Sequence, residues 1–269
     1  MSLFTILGAS GFIGSHLVKH LNSEGHSCHA PAKGEDISKA NLGNVIYCIG
    51  LTADFRTKPF ETINAHVCCL VEALTRYTYD SFVYLSSTRV YGAREAIAHE
   101  EDVIHCQPLS PCDLYNISKI MGESACFAAG KENVRVVRLS NVYGYDSQSE
   151  NFIFSLIRDA LRKKKILLNT TLDSSKDHIN VHDVVKILPQ IALKGKQKIY
   201  NVASGENVSA GQIVDRLGSR TGCSVAVAAD AERISFPNIY IGRIKKEFEF
   251  KHSRILDDLE QLIADYKNS

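Results

Sequence analysis

The chain has 269 residues, 45% of them hydrophobic and 23% charged, and a formal net charge of +1. That balance suits a globular protein and leaves no basic field for nucleic acid or an anionic membrane surface; no run of about 18 apolar residues is present to span a bilayer. The opening residues lack the basic and long apolar stretches of a secretory signal, and the eight cysteines hold no Cys-x-x-Cys pair or zinc-type histidine spacing, so reduced thiols, no bound metal and a cytoplasmic location are the expectation.

Strand-like and helix-like segments alternate through the first half. Residues 3–7 form an apolar strand that runs into a glycine turn and a helix over 13–23. A short second strand follows over 26–31. Apolar residues 45–50 predict a buried strand, 60–77 a helix and 82–86 another strand. A helix then begins near Ser110, which can cap, with Pro111 suited to the first helical position and Asp113 completing a Ser-x-x-Asp capping box. Val-rich 134–139 is the next strand. Such alternation predicts an α/β fold built on a doubly wound parallel sheet.

Beyond about residue 145 the pattern changes. A helix over 151–163 ends in Arg162-Lys163-Lys164-Lys165, charges that suit a helix C-terminus. Strands at 166–168, 177–181 and 200–202 and helices at 184–193 and 210–221 follow. The last segment, 254–267, sets Ile255, Leu256, Leu259, Leu262, Ile263 and Tyr266 at helical spacing. No repeat or linker interrupts the chain, so a sheet domain over 1–145 with a smaller α/β lobe over 146–269 packed on it is expected.

Two motifs carry chemistry. Gly8-Ala9-Ser10-Gly11-Phe12-Ile13-Gly14 lies directly between the first strand and the first helix. A glycine turn alone needs no ligand, but in this setting its backbone N–H groups can approach a pyrophosphate at the helix N-terminus. Tyr115 and Lys119 are four apart and so share one helix face. They could be an ordinary surface pair. If they are not, the ammonium favours the phenolate and brings the phenol toward useful acid–base work.

With three further segments these motifs resemble those of extended short-chain dehydrogenase/reductases of the nucleotide-sugar epimerase, dehydratase and reductase type. The segments are Leu85-Ser86-Ser87-Thr88-Arg89-Val90-Tyr91-Gly92, Arg138-Leu139-Ser140-Asn141-Val142-Tyr143-Gly144 and Asp177-His178-Ile179-Asn180-Val181-His182-Asp183. The likeness runs from Leu3 to about Val202. It implies a Rossmann-like sheet with a C-terminal substrate lobe. It also implies a catalytic set of Ser87, Tyr115 and Lys119, and a cofactor site of Gly8, Ser10, Gly11, Phe12, Ile13, Gly14, Leu51, Thr52, Tyr115 and Lys119, with Asp36 and Ile37 beside the adenine.

Cofactor choice turns on the end of the second strand. The acidic position of NAD users falls on Ala32, followed by Lys33, which favours NADP(H); Glu35 is close enough that NAD(H) is possible. Relatives that dehydrate carry Asp-Glu after the catalytic hydroxyl. Here Thr88 and Arg89 stand there, and an arginine that stays protonated cannot be the base. His99, His105 and Cys106 lie in a loop that could reach the sugar. Substrate contacts carried over from the resemblance are Ser87, Thr88, Asn141, Asn151, Lys176 and Arg233, the two cations facing a diphosphate, with Tyr or Phe stacking the base because no tryptophan is present.

The reading is an NADP(H)-dependent reductase of a nucleotide-diphosphate 4-keto(-6-deoxy) sugar, with Tyr115 as proton donor. An NAD-dependent nucleotide-sugar 4-epimerase is the alternative. A binding-only relative that keeps the NADP site is the alternative of another class, against which the intact Ser87, Tyr115 and Lys119 speak. Relatives dimerise through a face that includes the Tyr115 helix, so a homodimer using Ile120, Met121, Ala125 and Phe127 is expected, unless these four are core.

Overall fold

The structure, a computed structural model, describes residues 1–37, 40–52, 55–145 and 152–268, without the side chain of Cys112. The first half builds the main sheet from β1 (Leu3–Leu7), β2 (Ser27–His29), β3 (Asn44–Tyr47), β4 (Ser81–Ser87) and β5 (Val134–Leu139), with α1 (Phe12–Ser23) after β1. Between β3 and β4 run α2 (Pro59–Ile63), a π-helical turn over Asn64–Cys68 and α3 (Cys69–Arg76); α4 (Leu114–Ala128) leads to β5. After β6 (Asn141–Tyr143) come α5 (Phe152–Arg158), β7 (Lys165–Thr170), β8 (Ser175–Asn180) and α6 (Val181–Lys194). The chain ends with β9 (Ile199–Val202), β10 (Asn207–Ser209), α7 (Ala210–Thr221), β11 (Ser224–Glu232), α8 (Gly242–Phe248) and α9 (Ile255–Lys267).

Six strands in the order β2-β1-β3-β4-β5-β9 form the main sheet, parallel throughout. Helices cover both faces, which is why β3 and most of β1, β4 and β5 read as unbroken buried runs. On one face Leu17 and Leu21 of α1 and Val184, Leu188 and Ile191 of α6 close over Phe4, Ile6, Val83 and Val137. On the other, Leu70 and Leu74 of α3 and Cys126 of α4 close over Val45, Tyr47, Tyr84 and Val136. A third core joins α5, α7 and α9 through Ile157, Ile213, Leu217, Leu259 and Leu262. Beside it lie a three-stranded sheet, β10-β8-β6, and the β11–β7 pair.

The α/β architecture is as expected, and three local features differ. The helix expected over 60–77 carries the π-helical turn at Asn64–Cys68. The Ser110 capping box does not form. Pro111–Asp113 is a separate 3₁₀ turn, Ser110 makes no side-chain cap, and Asp113 Oδ2 accepts the Gln107 N–H at 2.8 Å. Finally, α6 and β9, both beyond residue 145, return to the main sheet. The third core is therefore assembled from Tyr143, α5 and β7 before α6 and from segments after β9. No helix among the described residues is long and apolar enough to cross a membrane.

One buried ion pair ties α4 to the sheet. Arg138 of β5 donates to both carboxylate oxygens of Glu123 in α4, at 3.0 and 2.7 Å, and Ser86 of β4 donates to the same carboxylate at 2.5 Å. The helix that carries Tyr115 and Lys119 is thereby fixed against the strand ends that carry Ser87 and Ser140.

Candidate active site

The glycine turn is shaped by close approach. A Cβ on Gly14 would lie 2.3 Å from Gly8 O, and one on Gly8, at φ +89°, would lie 2.8 Å from Ile49 N. Gly11 precedes α1 without a side-chain cap, so the first N–H groups of a twelve-residue helix face outward, where an anion suits them. These features fit a dinucleotide pyrophosphate. The cradle opens into a cavity of ≈ 390 Å³ that reaches Thr52, Ser87, Tyr115 and Lys119.

Of the cofactor residues expected, Gly11, Phe12, Ile13, Gly14, Thr52, Tyr115 and Lys119 line this cavity. Gly8 shapes the turn, and Ser10, Lys33, Asp36, Ile37 and Leu51 do not line it. Ile37 is buried in the core with Leu7 and Val45. At the end of β2, Glu35 folds back so that its Oε2 accepts the Ala32 N–H at 2.8 Å while Oε1 lies 3.3 Å from His29 Nε2. Lys33 projects from an exposed turn.

Tyr115 is buried, with the Ser87 and Thr52 side chains near enough to act on its phenol. Burial raises the phenol above its ordinary value. The Ser87 hydroxyl, the Arg89 charge and the Thr52 hydroxyl oppose that rise, in that order. Lys119 Nζ donates to Leu85 O at 2.8 Å and lies 6.0 Å from the Tyr115 ring centre. Burial lowers the amine to about 7, with Glu123 pulling the other way. Arg89 also lies over this ring, its Cζ 5.5 Å from the ring centre.

His66 is a site residue that the sequence did not reveal. The π-helical turn points it at the Tyr115 ring, edge-on at 5.3 Å. Its Nε2 accepts the Leu51 N–H at 3.3 Å, so Nδ1 carries the proton and donates to Ser118 Oγ at 2.8 Å. Burial and the Lys119 charge keep the ring neutral, down to about 2. A helix period says nothing of a π turn, and a buried histidine has no spacing signature.

Two further cavities adjoin the first. The smaller, ≈ 70 Å³, is bounded by Ser87, Thr88, Arg89, Asn141, Lys176 and Phe236. The other, ≈ 240 Å³, has a mixed lining, with Phe152, Leu168, Val208 and Ile234 beside Asn169, Thr170, Ser174 and His178. Lys176 lines all three cavities, its ammonium 5.8 and 5.9 Å from the rings of Phe152 and Phe236. Burial and the nearby Arg89 and Arg56 lower its pKa. Asp177 faces away: its carboxylate accepts from Ser204 N, Ser204 Oγ and Gly205 N at 2.7–2.9 Å. Asn141 Nδ2 donates to Asp177 O at 2.8 Å, which pins β6 to β8.

Other expected contacts are not brought together. Arg233 pairs with Asp173 at 2.7 Å, is exposed and lines none of these cavities. His99 stacks on Tyr240 at 4.5 Å, and Cys106 is exposed; neither reaches a cavity, nor does His105. Asn151 lies outside the described residues. Among the described residues no group of three or more His, Cys, Asp or Glu is placed to hold a metal ion.

Known proteins share this fold. The model of the NAD dependent epimerase/dehydratase family matches residues 4–56 and 38–203. The chain is 24% identical over 249 residues to a dTDP-4-dehydro-6-deoxy-D-allose reductase of Streptomyces bikiniensis, covering 76% of each chain. Its fold is similar to that of MoeE5 in complex with UDP-glucuronic acid and NAD, at 23% identity and TM-score 0.85 over 99% of both chains. It is also similar to RMD from Pseudomonas aeruginosa complexed with NADPH, at 22% identity and TM-score 0.82 over 100% of both chains.

Proposed function

The chain belongs to the NAD dependent epimerase/dehydratase family, and from that premise we propose that it is an NADP(H)-dependent reductase of a nucleotide-diphosphate 4-keto(-6-deoxy) sugar. The observation that carries the reading is that Ser87, Tyr115 and Lys119 line one cavity beside the glycine turn, with Ser87 also bounding the adjoining ≈ 70 Å³ cavity. Gly11–Gly14, Thr52 and Lys119 would hold the nicotinamide dinucleotide, which when bound supplies a hydride to the sugar carbonyl. Ser87 holds the carbonyl oxygen. Tyr115, kept protonated by burial, gives its proton to that oxygen as it becomes an alkoxide. Lys176, at the junction of the three cavities, takes the diphosphate, and the ≈ 240 Å³ cavity takes the nucleoside, with Phe152 as its ring partner. Thr88 and Arg89 offer no acid and base for dehydration.

A second reading, an NAD-dependent nucleotide-sugar 4-epimerase, is favoured by Glu35, a carboxylate folded onto the end of β2 where a ribose 2′-hydroxyl is bound in NAD users. It uses the same Ser87, Tyr115 and Lys119. The reductase reading is supported by Lys33 beside that strand end and by the likeness to an allose reductase over three quarters of both chains. The same proposal includes a homodimer through the outer face of α4.

Purified protein mixed with NADPH and a panel of 4-keto sugar nucleotides should oxidise NADPH only when a keto sugar is present. Tightly held NAD that survives gel filtration, together with interconversion of C4 epimers without net cofactor turnover, would replace the reductase by the epimerase. Cofactor binding with no turnover on either panel would leave the binding-only relative.

A further inference from the structure

Arg89 stands two residues after Ser87, in the 3₁₀ turn Thr88–Tyr91, and its backbone N–H donates to Ser87 Oγ at 3.2 Å. Its guanidinium lies over two rings at once, with Cζ 5.5 Å from the centre of Tyr115 and 4.9 Å from that of Phe55. The two rings are themselves 5.3 Å apart, and Phe55 is buried. A planar guanidinium stacks on aromatic faces in a way an ammonium does not. Lys119, by contrast, is directed at a backbone carbonyl and shares α4 with the Glu123 carboxylate.

The groups that face Tyr115 come from every neighbouring element. Arg89 lies on the turn after β4, Lys119 on α4, neutral His66 on the π-helical turn, and Tyr84 on β4, its phenol raised well above the ordinary value by burial. Ser87 and Thr52 bring uncharged hydroxyls to the phenol. Of these only Arg89 is a cation throughout the working range, since guanidinium does not deprotonate in proteins while Lys119 is lowered to about 7.

We propose that Arg89 is a positioning residue acting through Tyr115: stacked on the Tyr115 and Phe55 rings, its guanidinium stabilises the negative charge that develops on the phenolic oxygen as the proton passes to the substrate. The Tyr115 O–H bond breaks, an O–H bond forms on the sugar alkoxide, and Arg89 neither gives nor takes a proton. The proposal rests on Tyr115 as proton donor.

The test does not need the sugar. With 11 tyrosines and no tryptophan in the chain, ultraviolet titration reads phenolate directly, and the difference between a protein and its Tyr115→Phe counterpart isolates Tyr115. The Tyr115 midpoint should rise by about one pH unit or more in Arg89→Met and recover at least half of that shift in Arg89→Lys. An unchanged midpoint in Arg89→Met overturns the proposal. If Arg89→Met does not fold, Arg89→Gln is read in the same way. In turnover, Arg89→Met should lower kcat more than it raises KM; a rise in KM alone would make Arg89 a substrate anchor and overturn the proposal as well. Should Tyr115→Phe retain full turnover, the Proposed function fails, while the titration still reports whether Arg89 acts on the phenol.

Discussion

Burial raises the Tyr115 phenol, so at neutral pH the side chain holds its proton, which suits a group that must donate to an alkoxide. The ring packs against Phe55 and His66, and a phenylalanine would keep both contacts. Tyr115→Phe should therefore leave cofactor affinity within about twofold and lower turnover by about 10²-fold or more; single-turnover rates against fluorescence-monitored NADPH binding check both halves. Lys119 gives a prediction on stability. Its amine falls from 10.5 to about 7 on burial. Between those values the unfolded chain binds a proton that the folded chain does not, so this group makes stability rise with pH through that window and opposes folding most below it. In urea unfolding at about pH 7 and about pH 9, wild type should gain stability relative to Lys119→Met as pH rises; parallel behaviour of the two would show that the buried amine stays charged. Tyr115 and Lys119 were legible as a pair because i and i+4 share a helix face. The placement of Arg89 and Lys119 about the phenol was not, since it depends on how neighbours distant in sequence turn each side chain.

At the scale of elements, the site depends on three segments held in register. Glu123 of α4, Arg138 of β5 and Ser86 of β4 meet in a pair whose charged side chains are only 4–5% exposed. Removing one partner leaves a buried charge uncompensated, so Glu123→Ala should destabilise the fold by about 3–5 kcal/mol. The double change Glu123→Met/Arg138→Met should recover most of that, as measured by urea unfolding. A loss in the double variant as large as in the single would show that shape, not charge, is what the pair supplies. The strands β1, β3, β4 and β5 were readable because burial on both faces leaves apolar runs with no alternation. The glycine turn was readable because only glycine tolerates the approach of Gly8 O to position 14. By contrast, β11 (Ser-Val-Ala-Val-Ala-Ala-Asp-Ala-Glu) is largely exposed and carries mostly alanine on its half-buried side, so composition did not mark it as a strand. The capping box failed because the Ser-x-x-Asp pattern was spent on a separate 3₁₀ turn, with Asp113 serving the preceding loop.

For the whole molecule, the cavities lie along the C-terminal ends of the main-sheet strands, where an open α/β sheet leaves a crevice. The β10-β8-β6 sheet and α5 close its far side. This is why residues as distant as Ser87 and Lys176 bound one space. The opposite side of α4 is unlike either core. Met121 is 53% and Phe127 41% exposed there, and the neighbouring α2 and α3 expose Phe60 (79%) and Val71 (41%). Exposed large apolar side chains on adjacent helices are a common mark of a self-interface. A second copy docking by a two-fold axis would bring α4 and the α2–α3 helix of each chain into one four-helix layer. Of the expected contact residues, Met121 and Phe127 are on that surface, while Ile120 and Ala125 are half-buried and Ala125 packs against the core. Met121→Glu should place an uncompensated carboxylate in such a layer and shift the protein toward monomer in sedimentation at micromolar concentration, leaving Tyr115 and Lys119 on the inner face of the same helix and cofactor binding unchanged. A wild-type chain that sediments as a monomer would remove the homodimer from the proposal and leave that surface without a partner.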